Sequence, residues 1–147
     1  MNDERFVLLA EDNDDDAELT MLAFSKAEIS HPIMRVHDGV EALDWLHSRG
    51  IHAGRSRPLP VVVLLDLKMP RLGGIEVLTA IRRDERTRFL PVVVLTSSAE
   101  DNDRLAAYAN HVNSYVRKPV DYDQFVGVTR SLGLYWMMLN LPPPQAG

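Results

Sequence analysis

Glu11, Asp12, Asp66, Thr96 and Lys118 are of the residue types that handle a hard cation or a phosphoryl group, and each follows closely on a short apolar run. Separations of 54 residues from Asp12 to Asp66, 30 on to Thr96 and 22 on to Lys118 leave each one or two strand-helix units from the next. In an open parallel sheet, reactive groups gather beyond the carboxyl ends of the strands. All five can therefore meet in one pocket. Three carboxylates gathered there repel by roughly 4 kcal/mol per pair at an intermediate dielectric, a cost the fold must offset. A divalent cation offsets it. Magnesium takes oxygen ligands and keeps several waters, so one or two carboxylates and a carbonyl suffice and a phosphoryl oxygen can complete the shell. The lysine adds a mobile positive charge, and the threonine hydroxyl can hydrogen-bond a phosphoryl oxygen. Such a set suits in-line phosphoryl transfer onto an aspartate.

The elements that must position these groups are legible as alternating segments. Phe6 to Ala10, Ile33 to Val36, Val61 to Leu65, Val92 to Leu95 and Ser114 to Val116 read as strands. The runs at 61–65 and 92–95 are apolar throughout, as strands covered on both faces require, and are predicted to be central. Between the strands, Ala17, Met21 and Phe24 form the apolar stripe of a first helix. Asp38 with Glu41 reads as a capping box opening a second helix through Trp45 and Leu46, with Gly50 placed to end it. Ile75, Leu78 and Ile81 form the stripe of a third helix after Gly74. Ser98 with Asp101 is a looser capping signal before Leu105 and Tyr108, and a last helix runs from about Tyr122 to beyond Trp136. The pattern predicts an α/β fold with a parallel sheet. The stretch from His47 to Pro60 reads as an exposed loop, and residues 142–147 as a loose Pro-rich tail.

With 147 residues the chain is sized for one domain, spanning 1–141 before the tail. A net charge of −5 argues against general affinity for nucleic acid, and the absence of cysteine removes thiolate metal sites and cysteine nucleophiles. The apolar runs are strand-length, too short to span a membrane, and the polar start reads as no secretory signal, so the expected location is the cytoplasm.

Glu11-Asp12, Asp66 within Leu64-Leu65-Asp66-Leu67-Lys68-Met69-Pro70, Gly74, Thr96-Ser97 and Tyr115-Val116-Arg117-Lys118-Pro119 resemble the receiver domain of bacterial response regulators. The resemblance covers roughly residues 5 to 130. It implies a doubly wound, flavodoxin-like five-stranded sheet of order 2-1-3-4-5, Asp66 as phosphoacceptor, and magnesium held by Asp12, Asp66 and the main-chain carbonyl of Lys68, with Glu11 acting through a coordinated water. It also implies that Lys118 pairs with the phosphoryl group, that Thr96 moves toward it with Tyr115 changing rotamer in step, and that the Lys118-Pro119 bond is cis. The implied donor is a sensor histidine kinase. A phosphorelay role, passing the group to a histidine phosphotransfer protein or acting as a phosphate sink, is the alternative. No effector region is expected to follow, so output is expected through binding.

The chain departs from the family pattern at two places. Gly73 precedes Gly74 where Asp or Asn is common, and Asn110-His111-Val112-Asn113 lacks the usual glycine, which puts a non-glycine residue at a turn. That segment, the extended loop before the third strand and the ending Leu134 to Pro142 resemble the single-domain regulators that partner bacterial phytochrome kinases. Apolar residues along the ending, Tyr135, Trp136, Met137, Met138 and Leu141, exceed one buried stripe, so a homodimer surface is expected there. Asp14, Asp15 and Asp16 read as a solvated helix start favoured by the helix dipole. Arg82, Arg83, Arg86 and Arg88 read as a solvated basic face, and the scattered histidines show no ligand spacing. Two other functions fit less well. A phosphohydrolase of the haloacid dehalogenase type wants an acid two residues after its nucleophile, where this chain has Lys68. A flavin module wants a phosphate loop where residues 11–16 are acidic.

Overall fold

The computed structural model describes residues 5–54 and 59–144. Five parallel strands, β1 (Val7–Ala10), β2 (Ile33–Val36), β3 (Val62–Leu65), β4 (Val92–Thr96) and β5 (Ser114–Arg117), lie in the order β2-β1-β3-β4-β5. Helices α1 (Asp14–Lys26), α2 (Gly39–Leu46), α3 (Gly74–Arg83), α4 (Asp101–Ala109) and α5 (Tyr122–Leu134) connect or follow them. β1, β3 and β4 are buried along their whole length, while β2 and β5 are only partly buried, as expected of edges.

Alternation along the central strands sends side chains to two cores. Leu8, Ala10, Val63, Leu65, Val92 and Val94 pack under α2, α3 and α4 with Trp45, Leu46, Leu78 and Ile81. Val7, Leu9, Val62, Leu64 and Val93 pack on the opposite face with Phe24, Trp136 and Met137. Both faces of the sheet are therefore covered, and its carboxyl edge is left for the polar residues.

Several local details differ from the sequence pattern. Asp38 caps α2 by accepting from the Glu41 N–H, but Glu41 reaches one residue further back and accepts from the His37 N–H. The helix does not wait for Gly50: Ser48 takes the left-handed conformation at φ 53°, and Gly50–His52 forms a short 3-10 turn inside the predicted loop. Residues 55–58 of that loop and 145–147 of the tail lie outside the described residues. Met21 is exposed, and α1 buries Thr20 and Ala23 instead. Ser98 does not cap α4 from the front. Its hydroxyl donates to Asp103 at 2.6 Å, inside the first turn.

Two of the four arginines of the predicted basic face, Arg82 and Arg86, are tied to the main chain, while Arg83 and Arg88 stay exposed. The Arg82 guanidinium donates to the carbonyls of Asn110, His111, Arg88 and Leu90 and to Asn113 Oδ1. These bonds hold the turn in which His111 stands at φ 59°, a left-handed conformation uncommon for a non-glycine residue. Arg86 donates to the Leu46 carbonyl at the end of α2.

The ending is also rearranged. After Leu134 the helix widens into a π-helical turn, Tyr135–Leu139, closed by the Asn140 N–H donating to Tyr135 O at 2.7 Å. The wider turn brings the adjacent Trp136 and Met137 both inward, at 8% and 0% exposure. These two belong to the core and leave the expected dimer surface. Tyr135, Met138 and Leu141 stay exposed, joined by Leu139.

Candidate functional site

Glu11, Asp12, Asp66, Thr96 and Lys118 stand at the carboxyl edge of the sheet because β1, β3, β4 and β5 end there. β1 pairs with β3 so that Ala10 lies beside Leu65, and Asp66 N–H donates to Ala10 O at 3.1 Å. That pairing sets Glu11, Asp12 and Asp66 side by side. One carboxylate oxygen from each lies within 4.8 Å of the others, with Glu11 and Asp66 buried and Asp12 exposed.

Lys118 closes the group. Its Nζ donates to Glu11 Oε1 at 2.7 Å, Asp16 Oδ2 at 2.8 Å and Asp66 Oδ2 at 3.1 Å, and its side chain is only 8% exposed. Burial opposes the charge on this amine, but the bonds to Asp16 and Glu11 outweigh it and hold the proton more tightly than on an ordinary lysine. Glu11 shows the converse. Burial pushes its carboxyl up to about 7, with the Lys118 hydrogen bond pulling back only in part. One ammonium does not fully compensate the buried carboxylates, and an oxygen-only donor set open to solvent at Asp12 fits a hard divalent cation.

Lys118 N–H donates to Thr96 O at 2.7 Å, one residue beyond the β4–β5 pairing of Thr96 with Arg117. The following Lys118-Pro119 peptide is trans, against the expected cis, and no cis bond occurs among the described residues. At a proline the two forms differ by only about 0.5–1 kcal/mol, so the surrounding contacts decide. Here the chain continues the ladder in trans.

Thr96 is fully buried, and its hydroxyl accepts from the Ser98 N–H at 3.2 Å. Tyr115 is half-buried and stacks on Tyr108 at 6.5 Å between ring centroids. Burial of its hydroxyl raises the pKa, with the neighbouring Asp103 charge adding to the effect and the Ser98 side chain opposing it. Lys68 points its amine to Asp103 Oδ2 at 3.4 Å, the same oxygen that accepts from Ser98. A polar clasp thus joins the loop after Asp66, the first turn of α4 and the loop after Thr96.

The loop after Asp66 is anchored at its other end too. Arg71, at φ 63°, forks its guanidinium onto Asp38 at 2.9 and 3.0 Å, so the α2 cap also holds this loop. Gly74 packs with no room for a side chain, since a Cβ there would run into the carbonyl oxygen of Asp66. The Gly73-Gly74 pair is held, with Gly74 N–H donating to Leu67 O at 3.0 Å.

Asp16, Asp103, Arg71 and the Ser98 hydroxyl in its observed role were not expected from sequence. Asp16 did carry a signal, since Asn13 caps α1 by accepting from its N–H and so places it in the first turn over the pocket. Asp14, by contrast, pairs with Arg35 at 2.8 Å, and Asp15 stays exposed as predicted.

The model of the response regulator receiver domain matches residues 7–130. The chain belongs to this family. This receiver domain is 43% identical over 144 residues to the probable methanogenesis regulatory protein FilR2 of Methanothrix harundinacea, covering 98% of this chain and 91% of that one. Its fold is similar to that of the phosphorylated cyanobacterial phytochrome response regulator RcpA, with a TM-score of 0.89 and 32% identity over 97% of this chain and 100% of that one. The Mn(2+)-bound form of the response regulator Rcp1 of Synechocystis gives the same TM-score, 0.89, at 30% identity over 95% and 99% of the two chains. Receiver domains are signalling proteins rather than classical enzymes. Among the described residues no helix is long and apolar enough to cross a membrane.

Proposed function

We propose that the protein accepts a phosphoryl group on Asp66 from the phosphohistidine of a sensor histidine kinase in the cytoplasm and signals through a changed binding surface. The observation that carries this reading is the packing of Asp66, Glu11 and Asp12 oxygens within 4.8 Å, with the Lys118 amine 3.1 Å from Asp66.

Magnesium, held by Asp12, Asp66 and the Lys68 main-chain carbonyl with Glu11 acting through a water, would neutralise charge on the phosphoryl oxygens. The Mn(2+)-bound form of the similar Rcp1 supports a divalent cation. An oxygen of Asp66 forms the new P–O bond as the P–N bond of the donor breaks, and the nitrogen keeps the electron pair. Lys118 then holds a phosphoryl oxygen through its ammonium. Thr96 gives up its Ser98 contact and donates its hydroxyl to another oxygen.

That movement would vacate space beside Tyr115 and alter the surface carrying the exposed Leu105, Tyr108, Val120 and Tyr122. An added charge of about −1.5 to −2 suffices to bias two states that differ by a few kcal/mol. Likeness to the phytochrome response regulator RcpA supports a bacterial phytochrome as the kinase. Service as a relay to a histidine phosphotransfer protein, or as a phosphate sink, uses the same chemistry at Asp66. The exposed Tyr135, Met138, Leu139 and Leu141 support a homodimer through the ending of the chain.

Incubation with acetyl phosphate and magnesium tests the central claim. The intact protein should gain the mass of one phosphoryl group, and Asp66→Asn should gain none. An undiminished gain in Asp66→Asn would remove Asp66 as the acceptor.

A further inference from the structure

The Lys118 ammonium has three N–H bonds, and the oxygens of Glu11, Asp16 and Asp66 at 2.7, 2.8 and 3.1 Å take all of them. Two of these partners belong to the carboxylate group that fits a cation, and the third does not. Asp16 lies outside the set of mutually close oxygens formed by Glu11, Asp12 and Asp66.

Asp16 is also firmly placed. Its N–H donates to Asn13 Oδ1 at 2.9 Å and its carbonyl accepts from the buried Thr20 hydroxyl at 2.9 Å, so the first turn of α1 presents the carboxylate at a set position. Asp15, one residue earlier, carries the same charge and is exposed, and its carboxylate makes no such bond to Lys118.

A cation entering the pocket competes with Lys118 for Asp66 directly and for Glu11 through a bound water, because both are drawn to the same carboxylates. Without a third partner the amine would be left buried with its hydrogen bonds unmade, a state that costs more for a charged group than for a neutral one. We infer that Asp16 is a positioning residue that retains the Lys118 amine at the edge of the pocket when a divalent cation takes an Asp66 oxygen and engages Glu11 through a bound water, keeping the lysine in reach of an arriving phosphoryl group.

This inference rests on the proposed cation-assisted phosphorylation. It assigns Asp16 no contact with the cation. Asp16 instead controls where the lysine waits, and it yields the amine when a phosphoryl group with more negative charge than a carboxylate arrives.

The test follows the Lys118 ammonium protons by NMR in the full chain, with magnesium chloride as the probe. The signal should persist as slowly exchanging at saturating magnesium in the unaltered protein and in Asp15→Asn. In Asp16→Asn it should be lost to exchange once magnesium is added, and Asp16→Glu should restore it at least in part. The apparent dissociation constant for magnesium should rise at least threefold more in Asp16→Asn than in Asp15→Asn. Persistence of the signal in magnesium-loaded Asp16→Asn would overturn the inference, as would its loss in the unaltered protein on adding magnesium, a measurement that needs no variant to fold. Absence of any magnesium binding by the unaltered protein would instead sink the proposed function itself. Normal binding and phosphorylation with an ammonium that ignores Asp16 would sink only this inference.

Discussion

Glu11 and Lys118 are the two ends of one electrostatic problem. Burial pushes the Glu11 carboxyl up to about 7, from an ordinary value of 4.5, even though the Lys118 amine stands 2.7 Å away. In the cation-free protein the folded state thus binds a proton that the unfolded state has released between those values. This group favours folding at low pH, and its contribution is lost as the pH rises through about 7. Cation binding has the opposite sign, because the proton must leave before the carboxylate can support a divalent ion. Magnesium affinity is therefore expected to fall about tenfold between pH 8 and pH 6, as titration calorimetry would read it, and Glu11→Gln should flatten that dependence. Equal affinities at the two pH values in the unaltered protein would show that Glu11 takes no part.

At the scale of elements, the site depends on close approaches that hold the loop after β3. Arg71 ties this loop to the cap of α2, Lys68 ties it through Asp103 to α4, and Gly74 lets α3 start directly against the Asp66 backbone. A methyl group at Gly74 meets main-chain atoms of Asp66 and Leu67, which cannot swing aside as a side chain could. Gly74→Ala is expected to cost about 1–3 kcal/mol in urea unfolding, more than the helix propensity of alanine returns, and to slow phosphorylation of Asp66 by acetyl phosphate. Unchanged stability and rate would mean that the loop has freedom the packing does not suggest.

For the molecule as a whole, the ending divides its apolar residues between two tasks. Trp136 and Met137 complete the core on the α1–α5 side of the sheet, whereas Tyr135, Met138, Leu139 and Leu141 face outward. The proposed homodimer would bury these exposed apolar groups. The double substitution Tyr135→Asp with Leu141→Asp is expected to convert a dimer into a monomer in sedimentation at tens of micromolar while leaving thermal stability nearly unchanged. A dimer that survives both charges would place the interface elsewhere. Met137→Ala should do the reverse, costing about 2–5 kcal/mol of stability through a core cavity.

The parallel sheet and the gathering of Glu11, Asp12, Asp66 and Lys118 were legible in the chain, whereas the strand order came only with the family resemblance. Fully apolar strands demand cover on both faces, and residues at strand ends must share one edge whatever the helices do in detail. What tertiary structure alone decided are features created by atoms meeting across long separations. Asp16 looked like a solvated helix start until a lysine 102 residues away was brought to it. Arg82 looked like surface charge until five acceptors from its surroundings closed around its guanidinium. The π-helical turn that pulls Met137 inward and the trans bond before Pro119 likewise appear only in the folded chain. Periodicity and motif determine which face and which edge a residue belongs to. Only the folded packing determines which partner it meets there, because that choice is made by many weak contacts acting together.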